Sequence, residues 1–200
     1  IDTQKIAVAG FSIGAYTALA NAGIRLSYAQ FEAVCGVNAM GSACRLPPEA
    51  EYTQNQFSAM LANNPRIRQE RAAFDVSHKD PRIKAALSIA PVLAALMPQT
   101  NVAEVDIPVH IVVGSADDQA ASAANARVFA RAMPKSSLEE LPGVTHYTFL
   151  APCSERGFLY ARQYCQDPAG INRSAIHQHV LTTANSFFNA AFARAQLVAK

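Results

Sequence analysis

Three residues of types that can activate a hydroxyl group for attack on a carbonyl carbon stand far apart in the chain: Ser12, Asp117 and His146. A serine hydroxyl is a weak nucleophile until a base removes its proton, and a histidine can act as that base. An acid is needed to fix the imidazole tautomer and to stabilise the imidazolium that forms. Whether these three side chains can meet depends on the elements that carry them.

Ser12 is the centre of a Gly-x-Ser-x-Gly pattern that follows the apolar run 5–9 and precedes a helix-forming segment. This pattern is typical of a nucleophile elbow, a tight strand-to-helix turn that exposes the serine hydroxyl. Side chains two positions to either side would collide with the crossing strand and helix, so the pattern predicts that Gly10 and Gly14 are both required. The pentapeptide alone also fits a plain Gly-Ser turn that opens a helix.

Apolar runs of strand type cover 83–90 and 108–113, and a last short strand is predicted over 137–141. Helical patterns cover 14–34, 118–133 and the segment from Ser174 onward. This alternation predicts an α/β fold with a parallel sheet and helices on both of its faces.

Asp117 follows the strand 108–113, and His146 follows the strand 137–141. The carboxyl ends of parallel strands lie along one edge of a sheet, so we expect both side chains to approach Ser12. The order Ser, Asp, His along the chain is that of the α/β-hydrolase arrangement.

Other residues compete for these roles. Asp118 is the rival acid, although as the residue that opens the next predicted helix it is more typical of an N-cap. His110 lies within a strand and is interpreted as a core histidine, and His78 lies in a polar insertion. His177 and His179 are two residues apart on a helix and cannot share a face.

Composition limits the classes of function. Of the 200 residues, 50% are hydrophobic and 16% are charged, so the chain should fold. The net charge is only +2 and the basic residues form no stripe, which argues against nucleic acid as the main partner. No apolar run approaches the ~18 residues of a membrane span. No cluster has metal-ligand spacing and no glycine-rich phosphate loop occurs, so we expect neither metal nor cofactor.

The strand 5–9 stands almost at the start of the sequence, whereas a nucleophile strand is central in an open α/β sheet. We therefore expect that the chain is the C-terminal portion of an α/β-hydrolase domain, whose N-terminal strands belong to the full-length protein or to another chain. The irregular segment 45–80, which begins with Pro47 and Pro48 and contains a helix near 52–63, is predicted to be an insertion. Such an insertion is a cap over the site or a surface excursion without function.

The four cysteines form two local pairs in sequence, Cys35 with Cys44 and Cys153 with Cys165. Four cysteines allow three pairings, and the near-neighbour pairing is the simplest. Their even number and their position in loops favour disulfides, and hence a periplasmic or secreted protein. The alternative is a cytoplasmic protein with reduced cysteines.

The chain resembles the α/β-hydrolase superfamily, and within it the dienelactone-hydrolase-like proteins related to platelet-activating-factor acetylhydrolase. The resemblance implies Ser12 as nucleophile, Asp117 as acid, His146 as base and the backbone N–H of Ile13 as one oxyanion donor. The segments that carry it are 8–19, 80–86, 107–118 and 146–153.

Two positions depart from the family pattern. Dienelactone hydrolases use a cysteine nucleophile, so Ser12 points to general ester hydrolysis, and Ala15 replaces a frequent glycine. The resemblance also implies a second oxyanion N–H from a loop after an earlier strand that this sequence does not contain, so we expect weak or absent activity from the 200 residues alone.

The predicted function is that of a serine carboxylester hydrolase that acts on a small-molecule ester through an acyl-enzyme. The same three residues would also serve an acyltransferase or a peptidase. The alternative from another class is a non-catalytic binding module with the same fold.

Overall fold

A single parallel sheet organises the chain in a computed structural model that describes residues 2–3, 5–35, 44, 46 and 50–198. Its four strands are ordered β1-β2-β3-β4, so each strand pairs with the next one along the chain. Parallel neighbours require a crossover connection, which here runs through helices. The strands are β1 (Ile6–Phe11), β2 (Ile83–Ile89), β3 (Val109–Gly114) and β4 (Ser136–Leu141).

The strands are confirmed close to their predicted positions. The central strands β2 and β3 are almost wholly buried, as their continuous apolar sequences require, whereas β1 and β4 form the two edges and are partly exposed. β1 is therefore an edge strand of this sheet, with one side of its backbone ladder unpaired by any other described strand.

The helices are α1 (Ile13–Ala22), α2 (Tyr28–Cys35), α3 (Gln54–Asn63), α4 (Pro65–Ala72), α5 (Gln99–Ala103), α6 (Ala126–Ala132), α7 (Glu155–Tyr160), α8 (Arg162–Cys165) and α9 (Arg173–Val198). Short 3₁₀ turns occupy Ala94–Leu96, Ser122–Ala124 and His146–Phe149.

Alternate residues of the central strands point to opposite faces of the sheet and into two apolar clusters. Ile111 and Val113 join Leu19 of α1 and Phe129 of α6 on one face. Val112 lies on the other face, where the long helix α9 packs. The prediction of an α/β fold with helices on both faces is thereby confirmed.

Several predicted helices differ from the observed ones. The segment 14–34 is interrupted at Gly23, whose φ of 124° is a conformation that glycine tolerates, and the chain resumes as α2. The helix predicted over 118–133 is wrong in its first half, because only a 3₁₀ turn precedes α6 there. The connection between β2 and β3 contains α5, which was not predicted.

The segment 45–80 contains the predicted helix as α3, and Thr53 forms a capping box with Gln56 at its start. A second helix, α4, follows directly and was not predicted. Pro47 and Pro48 lie outside the described residues. None of the described helices combines the length and apolar character needed to cross a membrane.

Candidate active site

Ser12 forms the turn between β1 and α1, with φ 56° and ψ −118°. A non-glycine residue with positive φ costs about 1–3 kcal/mol and persists only where its surroundings enforce it. The Ser12 N–H donates to the carbonyl of Ile89 at 2.9 Å, and its own carbonyl accepts from the N–H groups of Ala15 and Tyr16 at 2.9 and 3.2 Å. These bonds tie the serine to β2 on one side and to the first turn of α1 on the other.

The two glycines of the elbow are not equivalent. A Cβ added to Gly10 would lie 2.0 Å from the carbonyl oxygen of Gly14, whereas a Cβ on Gly14 would meet nothing within 4 Å. The expectation that both positions require glycine is therefore wrong for Gly14. The close approach occurs on the strand side alone, where β1 passes under the start of the helix.

Ser12, His146 and Asp117 are connected by hydrogen bonds. The Nε2 atom of His146 lies 2.9 Å from Oγ of Ser12, and its Nδ1 atom lies 2.8 Å from Oδ2 of Asp117. His146 and Asp117 are 4% and 5% exposed. Because a carboxylate only accepts, Nδ1 carries the proton in this arrangement, and the lone pair of Nε2 can accept from the serine hydroxyl.

The second oxygen of Asp117 is also held in place. Oδ1 accepts from the N–H groups of Gln119 and Ala120 at 3.0 and 2.6 Å, so the carboxylate cannot rotate without losing backbone bonds. The rival Asp118 is exposed and contacts the side-chain amide of Gln119 at 3.1 Å. Asp117 is therefore the acid that faces the imidazole, and the N-cap interpretation of Asp118 is wrong because no helix begins there.

Backbone hydrogen bonds connect the loop that carries Asp117 to the loop that carries His146. Ser115 and Ala116 donate their N–H groups to the carbonyls of Leu141 and Val144 at 2.9 and 3.0 Å. A Cβ on Gly114 would lie 2.0 Å from the Val144 carbonyl oxygen, so only glycine allows this approach. The separation of the two loops is thus set by backbone contacts at the end of β3.

The imidazole of His146 sits between aromatic rings at the start of its 3₁₀ turn. The ring centroid of Phe11, the residue before the nucleophile, lies 4.8 Å away, and that of Tyr147 lies 5.4 Å away. Phe149 continues this apolar wall at 5.9 Å from Phe11. Sequence reasoning missed these rings, although the two phenylalanines flank the predicted serine and histidine by one and three positions.

Ile13 opens α1, so its N–H is among the first-turn donors that have no acceptor within the helix. Together with the positive end of the helix dipole, this donor is suited to an anion that forms beside Ser12. The Ile13 side chain is 59% exposed.

The remaining histidines lie outside this site. His110 contacts the Ser137 hydroxyl at 2.7 Å through Nδ1, and burial lowers its pKa although Glu139 opposes that shift. His177 and His179 face different neighbours, as their spacing predicts, namely the Thr148 carbonyl and Glu139.

His78 is exposed in the segment that precedes β2. In the described ranges, no group of histidine, cysteine, aspartate and glutamate has the geometry of a metal site.

Both local cysteine pairs are disulfides, Cys35–Cys44 and Cys153–Cys165. The second bridge packs against Gly157 of α7, where an added Cβ would lie 3.1 Å from Cys153. It closes a loop that starts four residues after the 3₁₀ turn of His146.

No family model matches the sequence, and no curated protein matches it. Among solved structures, esterase 2 of Thermogutta terrifontis, phosphoramylated by tabun, is 18% identical with a TM-score of 0.48, covering 95% of this chain and 56% of that one. The propionate-bound form of this thermophilic esterase is 19% identical with a TM-score of 0.41, covering 82% and 53%.

Dipeptidyl peptidase 4 of Porphyromonas gingivalis is 17% identical with a TM-score of 0.38, covering 82% of this chain and 19% of that one. The chain thus spans about half the length of the Thermogutta esterase structures. Because all three TM-scores are below 0.5, these similarities do not assign the chain to a family.

Proposed function

We propose that the protein is a serine hydrolase that cleaves carboxylic esters through an acyl-enzyme. The observation that carries the proposal is the continuous pair of hydrogen bonds from Ser12 through His146 to Asp117, at 2.9 and 2.8 Å. The three side chains follow the ends of β1, β3 and β4, so residues that are far apart in the sequence meet only when the sheet is formed.

In the proposed reaction, Oγ of Ser12 attacks the ester carbonyl carbon while Nε2 of His146 takes the hydroxyl proton. The negative charge that develops on the carbonyl oxygen is stabilised by the N–H of Ile13. When the intermediate collapses, His146 returns the proton to the leaving alkoxide and the acyl group stays on Ser12. A water molecule then repeats the sequence, with His146 again as base, and releases the acid.

Asp117 serves this reaction by holding the imidazole. Its Oδ2 accepts the Nδ1 proton, and the negative charge stabilises the imidazolium of each proton-transfer step. Two backbone N–H groups on Oδ1 leave Oδ2 aimed at the histidine. A carboxylate held in this way favours one tautomer and one ring orientation.

The backbone of Ser12 supports catalysis over binding alone. With φ 56° and ψ −118°, Ser12 has the strained strand-to-helix turn that a nucleophile elbow requires to expose its hydroxyl. The same geometry would serve an acyltransferase or a peptidase, which differ in the acyl acceptor or in the leaving group.

We also propose that the insertion near 45–80 is a cap-like segment, and that the chain forms the C-terminal portion of an α/β-hydrolase domain of the dienelactone-hydrolase-like kind. Two disulfides favour export to an oxidising compartment.

The test is labelling of the full-length protein by a fluorophosphonate probe, which phosphonylates an activated serine. We expect labelling at Ser12 and hydrolysis of p-nitrophenyl acetate in wild type, and neither in Ser12→Ala. Ser122→Ala is the matched control, because Ser122 hydrogen-bonds to Glu140 away from the site.

A wild-type protein that the probe does not label would contradict the hydrolase proposal and favour the alternative, a non-catalytic binding module. Cleavage of a peptide amide by wild type and not by Ser12→Ala would instead assign the site to a peptidase. Transfer of the acetyl group to an added alcohol in preference to water would assign it to an acyltransferase.

A further inference from the structure

An ion pair that sequence reasoning missed lies beneath the turn that carries His146. Arg173, the first residue of α9, is 8% exposed, and its guanidinium donates to both oxygens of Asp167 at 2.9 and 3.0 Å. It also donates to the backbone carbonyls of Tyr164 and Ala151 at 3.0 and 3.4 Å. One side chain therefore joins three segments that surround the histidine turn.

Asp167 passes this connection on to the turn itself. Its Oδ1 accepts from the hydroxyl of Thr148 at 2.8 Å, and Thr148 is fully buried two residues after His146 in the same 3₁₀ turn. The Thr148 carbonyl accepts from Nε2 of His177 at 2.8 Å. The hydroxyl and the carbonyl of Thr148 are thus bonded to residues of the C-terminal segment, and the hydroxyl also lies 3.0 Å from that of Thr145 within the turn.

The charge state of the pair suits this task. Burial raises the pKa of Asp167, but the hydrogen bonds from Arg173 and Thr148 and the electrostatic interactions with Arg173 and His177 outweigh it, so that its pKa lies below the usual range. Asp167 is consequently ionised at neutral pH, and a charged acceptor makes the stronger bond to the threonine hydroxyl.

A second path leads from the same segment to the imidazole. The Tyr164 ring packs against the Tyr147 ring at 4.7 Å between centroids, and the Tyr147 ring meets that of His146 at 5.4 Å. The backbone of Tyr164 is fixed in two ways: its carbonyl accepts a hydrogen bond from Arg173, and its neighbour Cys165 forms the disulfide with Cys153.

We propose that Asp167 and Arg173 are positioning residues for His146, acting through the hydroxyl of Thr148. A buried ion pair contributes little net stability, because removing both charges from water offsets their attraction. A role in positioning accounts better for the Asp167–Arg173 pair. The pair holds the 3₁₀ turn through Thr148, whereas Asp117 holds the imidazole directly through Nδ1. The proposal rests on His146 being the base of the proposed hydrolase.

The sharpest test is Thr148→Val in the full-length protein, which removes the hydroxyl with little change of side-chain shape and leaves the Asp167–Arg173 pair intact. Because it also removes the contact with the Thr145 hydroxyl, Thr145→Val is measured beside it, and we expect that variant to match wild type in both readouts below. The readout that needs no substrate is the NMR signal of the His146 Nδ1 proton, assigned by its loss in Asp117→Asn. We expect its exchange rate with water to rise about tenfold, the effect of losing one hydrogen bond to a charged group.

The same variant is expected to lower kcat for p-nitrophenyl acetate about tenfold with little change in KM, since the substrate site is untouched and only the base is misplaced. Thr148→Ser should restore both values. Thr182→Val is the matched control, because the Thr182 hydroxyl donates to the backbone carbonyl of Gln178 within α9.

Unchanged proton exchange and unchanged kcat in Thr148→Val would overturn the proposal. If that variant does not fold, Thr148→Ala is measured in its place, and failure of both to fold would assign the hydroxyl to stability and likewise overturn it. An inactive wild type contradicts the proposed function alone, because proton exchange is measured without substrate.

Discussion

Replacement of Gly10 by alanine tests the elbow more directly than removal of the nucleophile does. The new Cβ would lie 2.0 Å from the Gly14 carbonyl oxygen and 2.8 Å from the Ala15 nitrogen, both backbone atoms that cannot rotate away. The start of α1 must therefore move relative to β1 by about 1 Å to relieve the contact, and a displacement of that size near reacting atoms costs about 10²-fold in rate. Overpacking of this kind also lowers the free energy of unfolding by about 1–3 kcal/mol or more.

Gly14→Ala provides the matched control, since its Cβ would meet no atom within 4 Å. We expect it to label as wild type does and to be as stable or up to about 1 kcal/mol more stable, because alanine favours a helix over glycine. Fluorophosphonate labelling rates and urea unfolding curves measure the two effects. A Gly10→Ala protein that matches wild type in both would show that β1 and α1 do not cross as described.

Three further outcomes are expected. Asp117→Asn should lower kcat for p-nitrophenyl acetate by about 10⁴, whereas Asp118→Asn should leave it unchanged; equal losses would contradict the acid assignment. Joint replacement of Cys153 and Cys165 by serine should lower the free energy of unfolding in urea by about 3 kcal/mol, and an unaltered midpoint would argue against the bridge. Burial lowers the pKa of His110, so its stability contribution is complete above the unfolded value of about 6.5 and is lost as the pH falls through the native pKa. His110→Gln should therefore flatten the decline of Tm between about pH 7 and 5, and a parallel decline in both proteins would refute this.

The positions of Ser12, Asp117 and His146 could be predicted because the ends of the strands before them can be recognised in the sequence. The β-branched run of β3 and the glycine that ends it mark where the acid loop begins. Parallel strands then place every such loop at one edge of the sheet. Two simple physical rules thus locate residues that are more than a hundred positions apart.

The segment after Asp117 shows where such reasoning stops. Its alanine-rich composition predicts a helix from Asp118, but the Asp117 carboxylate takes the N–H groups of Gln119 and Ala120 and bends the chain into a turn. Asn125 is buried and accepts from the N–H of Ala94 in another loop, and α6 begins only after it. These tertiary bonds override helix propensity, which is a weak preference per residue.

The Asp167–Arg173 ion pair near His146 could not be predicted from the sequence either. Asp167 and Arg173 are six positions apart in a polar stretch, and neither hydrophobic period nor motif distinguishes them from exposed charges. Only the packing of α9 against the histidine turn buries them. A single sequence carries no signal for such an event.

The distances along the chain between bonded groups bear on the order in which the protein acquires its parts. The two disulfides close short loops, with separations of 9 and 12 residues, whereas the contact between Ser12 and His146 joins residues 134 positions apart. Short loops close at a small entropic cost, and distant contacts must await the ordering of the chain between them. We therefore expect both crosslinks and most helical structure to form during refolding before the serine becomes reactive, so that nucleophilicity reports the last stage of folding.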